Sequence, residues 1–361
     1  MALFQKTEGS VGVDIGAHGI KLVELHKAKG RPQLWTYAVV KQSMPIHHMF
    51  LAPEKHIPGN NQLSTEMMTE VDNYAALLAR AVKEANITTS RVTASLPVSQ
   101  VFHTLITLPI VPEKELSHHV AAKVEKMLPM PIEDMQIVHQ LVESEEKKEQ
   151  YLRVLVTAAP KKLITFYTNI FGKAGLHLEE LETEAFALER SLVGTDKATV
   201  MVIDIGVDRT NFFIIDGGVP ITHRSIHIGG KEFDTVLSQV FQVDSSYVEQ
   251  IKKDMSHYDQ MLAPELFQAV MAPMLKEIEY SIDLFMHQLG NEQKRVEKII
   301  LTGGGCLANP IISLIKQAFP VNVFVGDPWA RVVYQQGLKR VLDDIGPRMS
   351  VSIGLAMRHI M

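Results

Sequence analysis

Cysteine is nearly missing: Cys306 is the only one in 361 residues. No disulfide can close within the chain and a site built on several thiolates is excluded, which fits a reducing compartment. Long apolar runs are missing too. Charged residues interrupt every hydrophobic stretch before the roughly 18 residues that a membrane-spanning helix needs. Residues 1–10 carry no apolar signal-peptide core. The expectation is a cytosolic chain that can still dock on a membrane partner. Positive charge is not in excess, with 36 Lys and Arg against 41 Asp and Glu and a formal net charge of −5. That balance gives no general attraction to phosphate backbones or anionic lipid, so no nucleic-acid partner is expected.

What is present is globular. Hydrophobic residues make up 46% and charged residues 21%, proportions that exclude disorder and fibres. At about 150 residues per domain, the length suggests two domains. Residues 11–15, 20–25 and 34–40 are β-rich runs separated by Gly16 and Gly19, then by Gly30 and Pro32, and read as a three-stranded meander. Apolar residues from Val71 to Ala85 fall at helical spacing and lead into a strand over 92–96. Between Met44 and Thr69, prolines and paired asparagines show no period, which predicts a long surface excursion of no assigned function. After Pro112 the spacing predicts a helix to Leu128, ended by Pro129. Strands at 136–142 and 151–158 flank a charged run, 143–149, that reads as a solvated hairpin tip, and a helix over 161–174 follows. Then the meander returns, at 199–205, 211–215 and 219–228. Asp-Ile-Gly closes its first strand, 190 residues after the same tripeptide closed the first one, which implies two related halves.

A carboxylate at the end of a buried strand, followed by Gly in a tight turn, lets backbone approach an anion while the side chain faces the mouth. Two such loops on pseudo-symmetric halves can clamp a triphosphate, with Asp14 and Asp204 holding Mg²⁺ through waters and Thr210 adding a hydroxyl. The alternative of two ordinary strand-end turns, with Asp favoured for local hydrogen bonds, stays open. A third element is the apolar strand 299–302 running into Gly303, Gly304 and Gly305, after which Asn309 and Pro310 open a helix. Bare backbone there admits a flat ring or a phosphate. The same stretch matches a dinucleotide fingerprint through Gly303, Gly305 and Ala308, with Asp327 lying 24 residues after Gly303. That rival leaves the paired Asp-Ile-Gly turns unexplained. Among 15 histidines, His223 and His227 share a strand face, and His47 with His48 and His118 with His119 are adjacent. No carboxylate or Cys completes a zinc site, so exposed or hydrogen-bonded imidazoles are expected. The 17 methionines read as core packing or an adaptable peptide groove.

With these three loops in this order, the chain resembles the actin, hexokinase and heat-shock chaperone ATPase superfamily. Within it the chain is identified as a member of the PilM family of type IV pilus assembly. The stretches that carry the resemblance include VGVDIGAHGIKLVEL, SLPVSQVFHTLITLPIVPEKEL, VIDIGVDRTNFFIID, IILTGGGCLANP and VSIGLAMR, and they run from residue 11 to residue 358. The resemblance implies an α/β, actin-like (ribonuclease H-like) ATPase fold of two duplicated domains with an inserted subdomain. Subdomain 1A would take 1–94 and 179–197, 1C 95–178, 2A 198–228 and 296–361 with its last helix packing back on 1A, and 2B 229–295.

The resemblance further implies ATP or ADP with Mg²⁺. Asp14, Gly16, Ala17, His18 and Lys21 would form the first phosphate loop, and Asp204, Gly206 and Thr210 the second. Gly229 and Gly230 would precede the 2B helix, Gly303 to Gly305 would face adenosine, and Glu249 with Lys252 would contact ribose and adenine. Glu184 aligns with the glutamate that orients attacking water. Ala17 and His18 stand where Ser or Thr is common, which removes a hydroxyl contact to phosphate, and Asn309 stands where Gly is often found. Slow or no hydrolysis is therefore expected. The implied role is a cytoplasmic adaptor at the inner membrane that binds the N-terminal cytoplasmic peptide of a PilN-like protein. Its groove would lie near 1C, with Ile110, Val124, Met127 and Met130 as candidate lining, and closure around Mg-ATP would order it. Pilus motor or platform proteins and self-association are further implied partners. Two alternatives of the same fold are a small-molecule kinase, which needs a carboxylate base beside a substrate pocket, and an FtsA-like filament-forming division protein. The latter normally ends in an amphipathic membrane helix, for which the residues after Gly354 offer too little.

Overall fold

The computed structural model describes residues 9–44, 46, 50, 61–142, 151–257, 262–306 and 309–361. In chain order its strands are β1 (Gly9–Gly16), β2 (Gly19–Ala28), β3 (Arg31–Lys41), β4 (Arg91–Leu96), β5 (Phe102–Pro109), β6 (Met135–Val142), β7 (Tyr151–Pro160), β8 (His177–Thr183), β9 (Val200–Ile205), β10 (Thr210–Asp216), β11 (Val219–Ile226), β12 (Lys298–Thr302) and β13 (Asn322–Val325). Its helices are α1 (Thr65–Glu84), α2 (Glu113–Val124), α3 (Lys161–Lys173), α4 (Glu184–Leu188), α5 (Gly230–Phe241), α6 (Ser245–His257), α7 (Gln268–Met286), α8 (Asn309–Ala318) and α9 (Lys339–Met357).

The two meanders found in the sequence become two sheets of one design. The first has the order β3-β2-β1-β4-β8 and the second β11-β10-β9-β12-β13. In each, the meander is antiparallel, and its first strand then accepts a parallel neighbour, β4 beside β1 and β12 beside β9. Central strands covered on both faces favour continuous apolar sequence; β9 supplies it with Val200, Met201, Val202 and Ile203, all buried, whereas β1 alternates buried Val11, Val13 and Ile15 with Gly12 and the polar Asp14. The turn from β1 to β2 closes between Gly16 and Gly19. Gly19 has φ of 125° and a Cβ there would overlap the Val40 carbonyl oxygen, so only glycine fits.

A third, antiparallel sheet of order β5-β7-β6 is inserted between β4 and β8. Period-two alternation gives it two distinct faces. Ile106, Leu108, Val154 and Val156 face α2 and pack on its Leu116, Val120 and Val124. The charged run at 143–149 lies outside the described residues.

Two helix expectations are corrected. α2 ends at Val124, a turn before Leu128, because Pro129 disfavours the helical region for the residue preceding it; Met127 and Leu128 instead donate to the Val124 carbonyl in a closing turn. α1 begins at Thr65, inside the expected excursion, because the Ser64 hydroxyl accepts from the Met67 N–H and caps it. Most of the remaining excursion, residues 45, 47–49 and 51–60, lies outside the described residues.

The last helix, α9, follows the second sheet in sequence yet packs on β1 and β2 of the first. Missing side chains make this contact possible. A Cβ on Gly12 would overlap the Ser352 carbonyl oxygen, and α9 meets α4 as closely, since a Cβ on Gly354 would overlap the Ala187 carbonyl oxygen. Gly12→Ala is therefore expected to destabilise the protein by about 1–3 kcal/mol. Gly172→Ala, on α3 with open space around it, should be neutral or stabilise by up to about 1 kcal/mol. Urea unfolding midpoints of the two variants check the contrast.

Candidate functional site

Hairpin register places the first charges. Asp14 on β1 stands opposite Lys21 on β2, and its Oδ2 lies 2.7 Å from Lys21 Nζ. Ser95, at the end of β4, donates to Asp14 Oδ1 at 3.0 Å. In the second half Asp204 on β9 stands opposite Asn211 on β10. The same seven-residue interval thus sets an ammonium across from one aspartate and an amide across from the other. Glu184 enters from the start of α4, and Asn211 Nδ2 donates to its Oε2 at 3.3 Å. The Ser225 hydroxyl donates to Asn211 Oδ1 at 2.8 Å and fixes the amide's orientation.

Burial makes this cluster electrostatically tense. It pushes the Asp204 carboxyl up to about 6, with Lys21 pulling it down and Asp14 pushing it further up. Burial, then Asp14 and Asp204, holds Glu184 well above the usual carboxylate range. For Lys21, burial disfavours the ammonium, but Asp14, Asp204 and Glu184 outweigh it and its pKa is raised. Negative charge is in surplus in a desolvated place.

Glycines bring the backbone of three loops together. Gly206 N donates to Arg209 O at 2.9 Å and closes the β9–β10 turn. Onto this turn fold Gly230 N, donating to Gly206 O at 2.7 Å, and Gly305 N, donating to Ile205 O at 2.9 Å. A Cβ on Gly229 would press on Val207 O, one on Gly303 (φ 86°) on the Asp204 carboxylate, and one on Gly305 on the Ile205 side chain. Around the Cβ position of Gly230 stand Gly206 O at 3.4 Å, the Gly305 Cα at 3.5 Å and Lys252 Nζ at 3.9 Å. The Cβ position of Gly16 lies 3.7 Å from Lys21 Nζ. Gly304 faces α9, its Cβ position 3.5 Å from Arg348 Nε.

The structure therefore gathers Asp14, Gly16, Lys21, Glu184, Asp204, Gly206, Gly229, Gly230, Lys252 and the triple-glycine bend. Other expected residues take different parts. Ala17 and His18 form the tip of the first hairpin, where their carbonyls accept from Met44 N and Gln42 N, and the His18 side chain is exposed. Thr210 is a correction: its hydroxyl is fully buried and donates to Ile228 O at 2.8 Å, so it pins the segment leading to Gly229 and does not face the mouth. Glu249 and Lys252 also part company. Lys252 is ion-paired with Asp234 on α5. Glu249 is held by Lys41 Nζ at 2.7 Å and Arg348 Nη1 at 2.9 Å, and these cations, Lys41 first, keep its carboxyl down at about 2 despite partial burial. Ser95, Asn211, Lys41 and Arg348 were not anticipated. Asn211 had a signal, since it repeats the Asp14–Lys21 interval; the others stand on elements distant in sequence.

The dinucleotide alternative is overturned. The triple-glycine bend ends β12, the fourth strand of a mixed sheet, and the Asp327 carboxylate accepts from Trp329 N at 2.9 Å, closing its own turn. Ala308 lies outside the described residues, as do His47 and His48. His223 meets His103 with ring centroids 5.7 Å apart, not His227. Among the described residues no group of three His, Cys, Asp or Glu is arranged to hold a metal directly.

A concavity of about 540 Å³ lies between the inserted sheet and the first one. Gln136, Val138 and Gln140 of β6 and Leu155, Thr157 and Ala159 of β7 form its floor, and β8, α3 and Phe186 form its walls. The expected groove residues are elsewhere. Val124 is fully buried beneath α2, Ile110 and Met127 are exposed, Met130 is half-buried, and none lines this cleft.

Duplicated sheets with a buried acidic hairpin at the mouth of each and a glycine bend between them define the class: this is an actin-like ATPase fold. The chain belongs to the family of type IV pilus assembly protein PilM, whose model matches residues 12–360. Over 98% of its own length and 98% of the other chain, it is similar in fold, at 24% identity and a TM-score of 0.76, to a structure described as a PilM-PilN type IV pilus biogenesis complex. It also shares its fold with the ethanolamine utilization protein EutJ from Carboxydothermus hydrogenoformans, at 15% identity and a TM-score of 0.52 over 97% of this chain and 89% of that one. No helix among the described residues is long and apolar enough to cross a membrane.

The raised Asp204 pKa fixes the sign of a pH effect. Between the ordinary value of 3.8 and about 6 the folded protein holds a proton that the unfolded chain has released. Stability therefore falls as pH rises through that window and stays reduced above it. Asp204→Asn is expected to stabilise the nucleotide-free protein at pH 7.5 by on the order of 1–3 kcal/mol, with the gain shrinking towards pH 4. Urea denaturation at the two pH values checks it; equal stability of variant and wild type at pH 7.5 contradicts it.

Proposed function

We propose that the chain is an ATP-binding adaptor of the type IV pilus assembly platform, tethered at the inner membrane by the cytoplasmic N-terminal peptide of a PilN-like protein. The observation that carries the nucleotide half is the convergence of both acidic hairpins and the triple-glycine bend on one buried surplus of negative charge. Asp14 and Asp204 outweigh Lys21 even with Glu184 held as its neutral acid beside them, and that surplus negative charge suits a divalent cation. With no direct cage among the described residues, Asp14 and Asp204 suit a Mg²⁺ that keeps its waters. The ion, when bound with ATP or ADP, neutralises phosphate charge. Lys21 adds the cation of the first loop, and Gly206, Gly230 and Gly305 leave the backbone bare where phosphates and adenosine would lie.

Hydrolysis is slow or absent in this reading. Glu184 is the residue placed to orient water, but burial and its two acidic neighbours favour its neutral acid, and an acid is a poor acceptor for a water proton. Asn211, moreover, already occupies one of its oxygens.

The adaptor half rests on family membership and on the cleft between the inserted sheet and the first one. The structure titled as a PilM-PilN complex pairs a similar fold with PilN. Here the cleft opens between two sheet edges, since β6 and β8 are each last in their sheets. An extended peptide can add to such an edge through its backbone. The floor residues Val138, Leu155 and Ala159 are apolar, and Glu180 and Glu182 on the wall are paired with Arg358 and Arg190, so the cleft suits apolar side chains more than charged ones.

Two sets of variants separate the halves. Asp14→Ala and Asp204→Ala should each weaken Mg-ATP binding at least about tenfold, the loss of one contact to a charged group, and leave peptide binding in place. Val138→Asp, on the open floor at 56% exposure, should weaken binding of the PilN N-terminal peptide by about tenfold or more and leave Mg-ATP binding unchanged. Calorimetry reads both. ATP binding unaltered in both aspartate variants, together with no peptide binding by wild type, overturns the reading.

A further inference from the structure

The inserted sheet has one face covered by α2, and its other face is shared between the two halves of the molecule. Alternation puts His103 and Leu105 of β5, Arg153, Leu155, Thr157 and Ala159 of β7, and Val138 and Val142 of β6 on that inner face. One part of the face is fastened to the second half. His103 Nε2 lies 2.9 Å from the Pro220 carbonyl on β11. Buried Arg153 donates from Nη2 to buried Asn291 Oδ1, just beyond α7, at 3.0 Å. Leu105 and Val142 pack into the core formed by the second sheet and its helices.

The other part of the same face is the floor of the cleft, and across it stand β8, α3 and α4 of the first half. The cleft is therefore a seam whose floor is tied to the second half through His103 and Arg153 and to the first half through Ala159 at the end of β7, and whose wall helix α4 also packs on the second sheet. A hydrogen-bond chain runs from the second half to the cleft floor. The Pro220 carbonyl only accepts, so His103 Nε2 carries the proton, and His103 Nδ1, at 3.1 Å, accepts from the hydroxyl of Thr157, itself on the cleft floor. On the opposite wall, Phe186 stacks edge-on to His103 at 6.5 Å and lies two residues after Glu184 on α4. One short helix thus carries a residue of each site.

We propose that His103 and Arg153 are the contacts that couple the two sites: they make the inserted sheet follow the second half, so nucleotide in the interdomain site sets how tightly the β6–β8 cleft holds a peptide. The coupling rests on the function proposed above and gives it a physical route. It is reciprocal, so a bound peptide shifts nucleotide affinity by the same factor.

The test uses the full chain, Mg-ATP and a synthetic PilN N-terminal peptide. Peptide affinity is measured with and without saturating Mg-ATP for wild type, His103→Phe and Arg153→Met. The first variant keeps a ring against Phe186 and loses both hydrogen bonds; the second keeps length and removes the donor. In wild type the two affinities should differ by about fivefold or more. In the variants each ligand should still bind alone within about twofold of wild type, and the ratio should fall towards one, more so in the double variant. Variants that keep the full ratio overturn the proposal. So does a wild type that binds both ligands with a ratio of one, which leaves the adaptor reading standing; a wild type that binds neither defeats that reading itself. Hydrogen exchange in wild type gives a readout that needs no variant. Mg-ATP should change the protection of β6 and β8 amides, and unchanged protection at both strands counts against the coupling.

Discussion

One half-buried ammonium facing three carboxylates is the constraint on which the rest of the architecture turns. Lys21, Asp14, Asp204 and Glu184 come from β2, β1, β9 and α4, so the fold has to bring both sheets and the helix between them to one point. An isolated carboxylate in a desolvated place is expensive. The neighbours reduce that cost: Ser95 and Lys21 bind Asp14, and Asn211 binds Glu184 and also lowers the Asp204 pKa. The compensation is incomplete, as the raised pKa values of Asp204 and Glu184 record. Stability given up at this point is the usual mark of a site arranged for a ligand.

Close backbone approach is the second consequence. The loops of the second half can close on one another only where side chains are absent, and Gly229, Gly230, Gly303 and Gly305 are the positions where a Cβ would meet a neighbouring loop. The same device fastens α9 to β1 at Gly12 and to α4 at Gly354. That return of the chain carries Arg348 to the triple-glycine bend, where it meets Glu249 from α6 and, through it, Lys41 from β3. Three elements far apart in sequence thereby border one mouth.

The strand ends were legible because their signals are local. A period-two apolar run closing on Asp-Ile-Gly states a strand, a carboxylate and a turn at once, and its recurrence states the duplication. Asn211 was legible in principle from its interval, but an amide in place of an ammonium hides the equivalence. Thr210 shows what sequence leaves open: a hydroxyl beside a turn has a known position and an undetermined direction, and here it satisfies the Ile228 carbonyl. Val124 illustrates a different ambiguity. Helical periodicity identifies the apolar face of α2, but whether that face meets a partner or the chain's own sheet depends on an inserted sheet whose register only the fold reveals. The cleft itself, made from β6, β7, β8 and Phe186, has no contiguous motif.

The asymmetry between Lys21 and Asn211 carries the argument furthest. Duplication alone would give both halves the same cross-strand partner. A second ammonium at position 211 would leave the trio of carboxylates with little net charge and little reason to take up a cation. No ammonium at all would bury three carboxylates with no opposing charge near them, a load that protonation alone would have to relieve. With one of each, negative charge stays in surplus even with Glu184 as its neutral acid, and the amide can still fix Glu184 in place. The neutral partner is also the one on the β9–β10 hairpin, next to β11, the strand that holds His103 through Pro220. The half of the site that lacks its own cation is thus the half joined to the inserted sheet through His103 and Pro220.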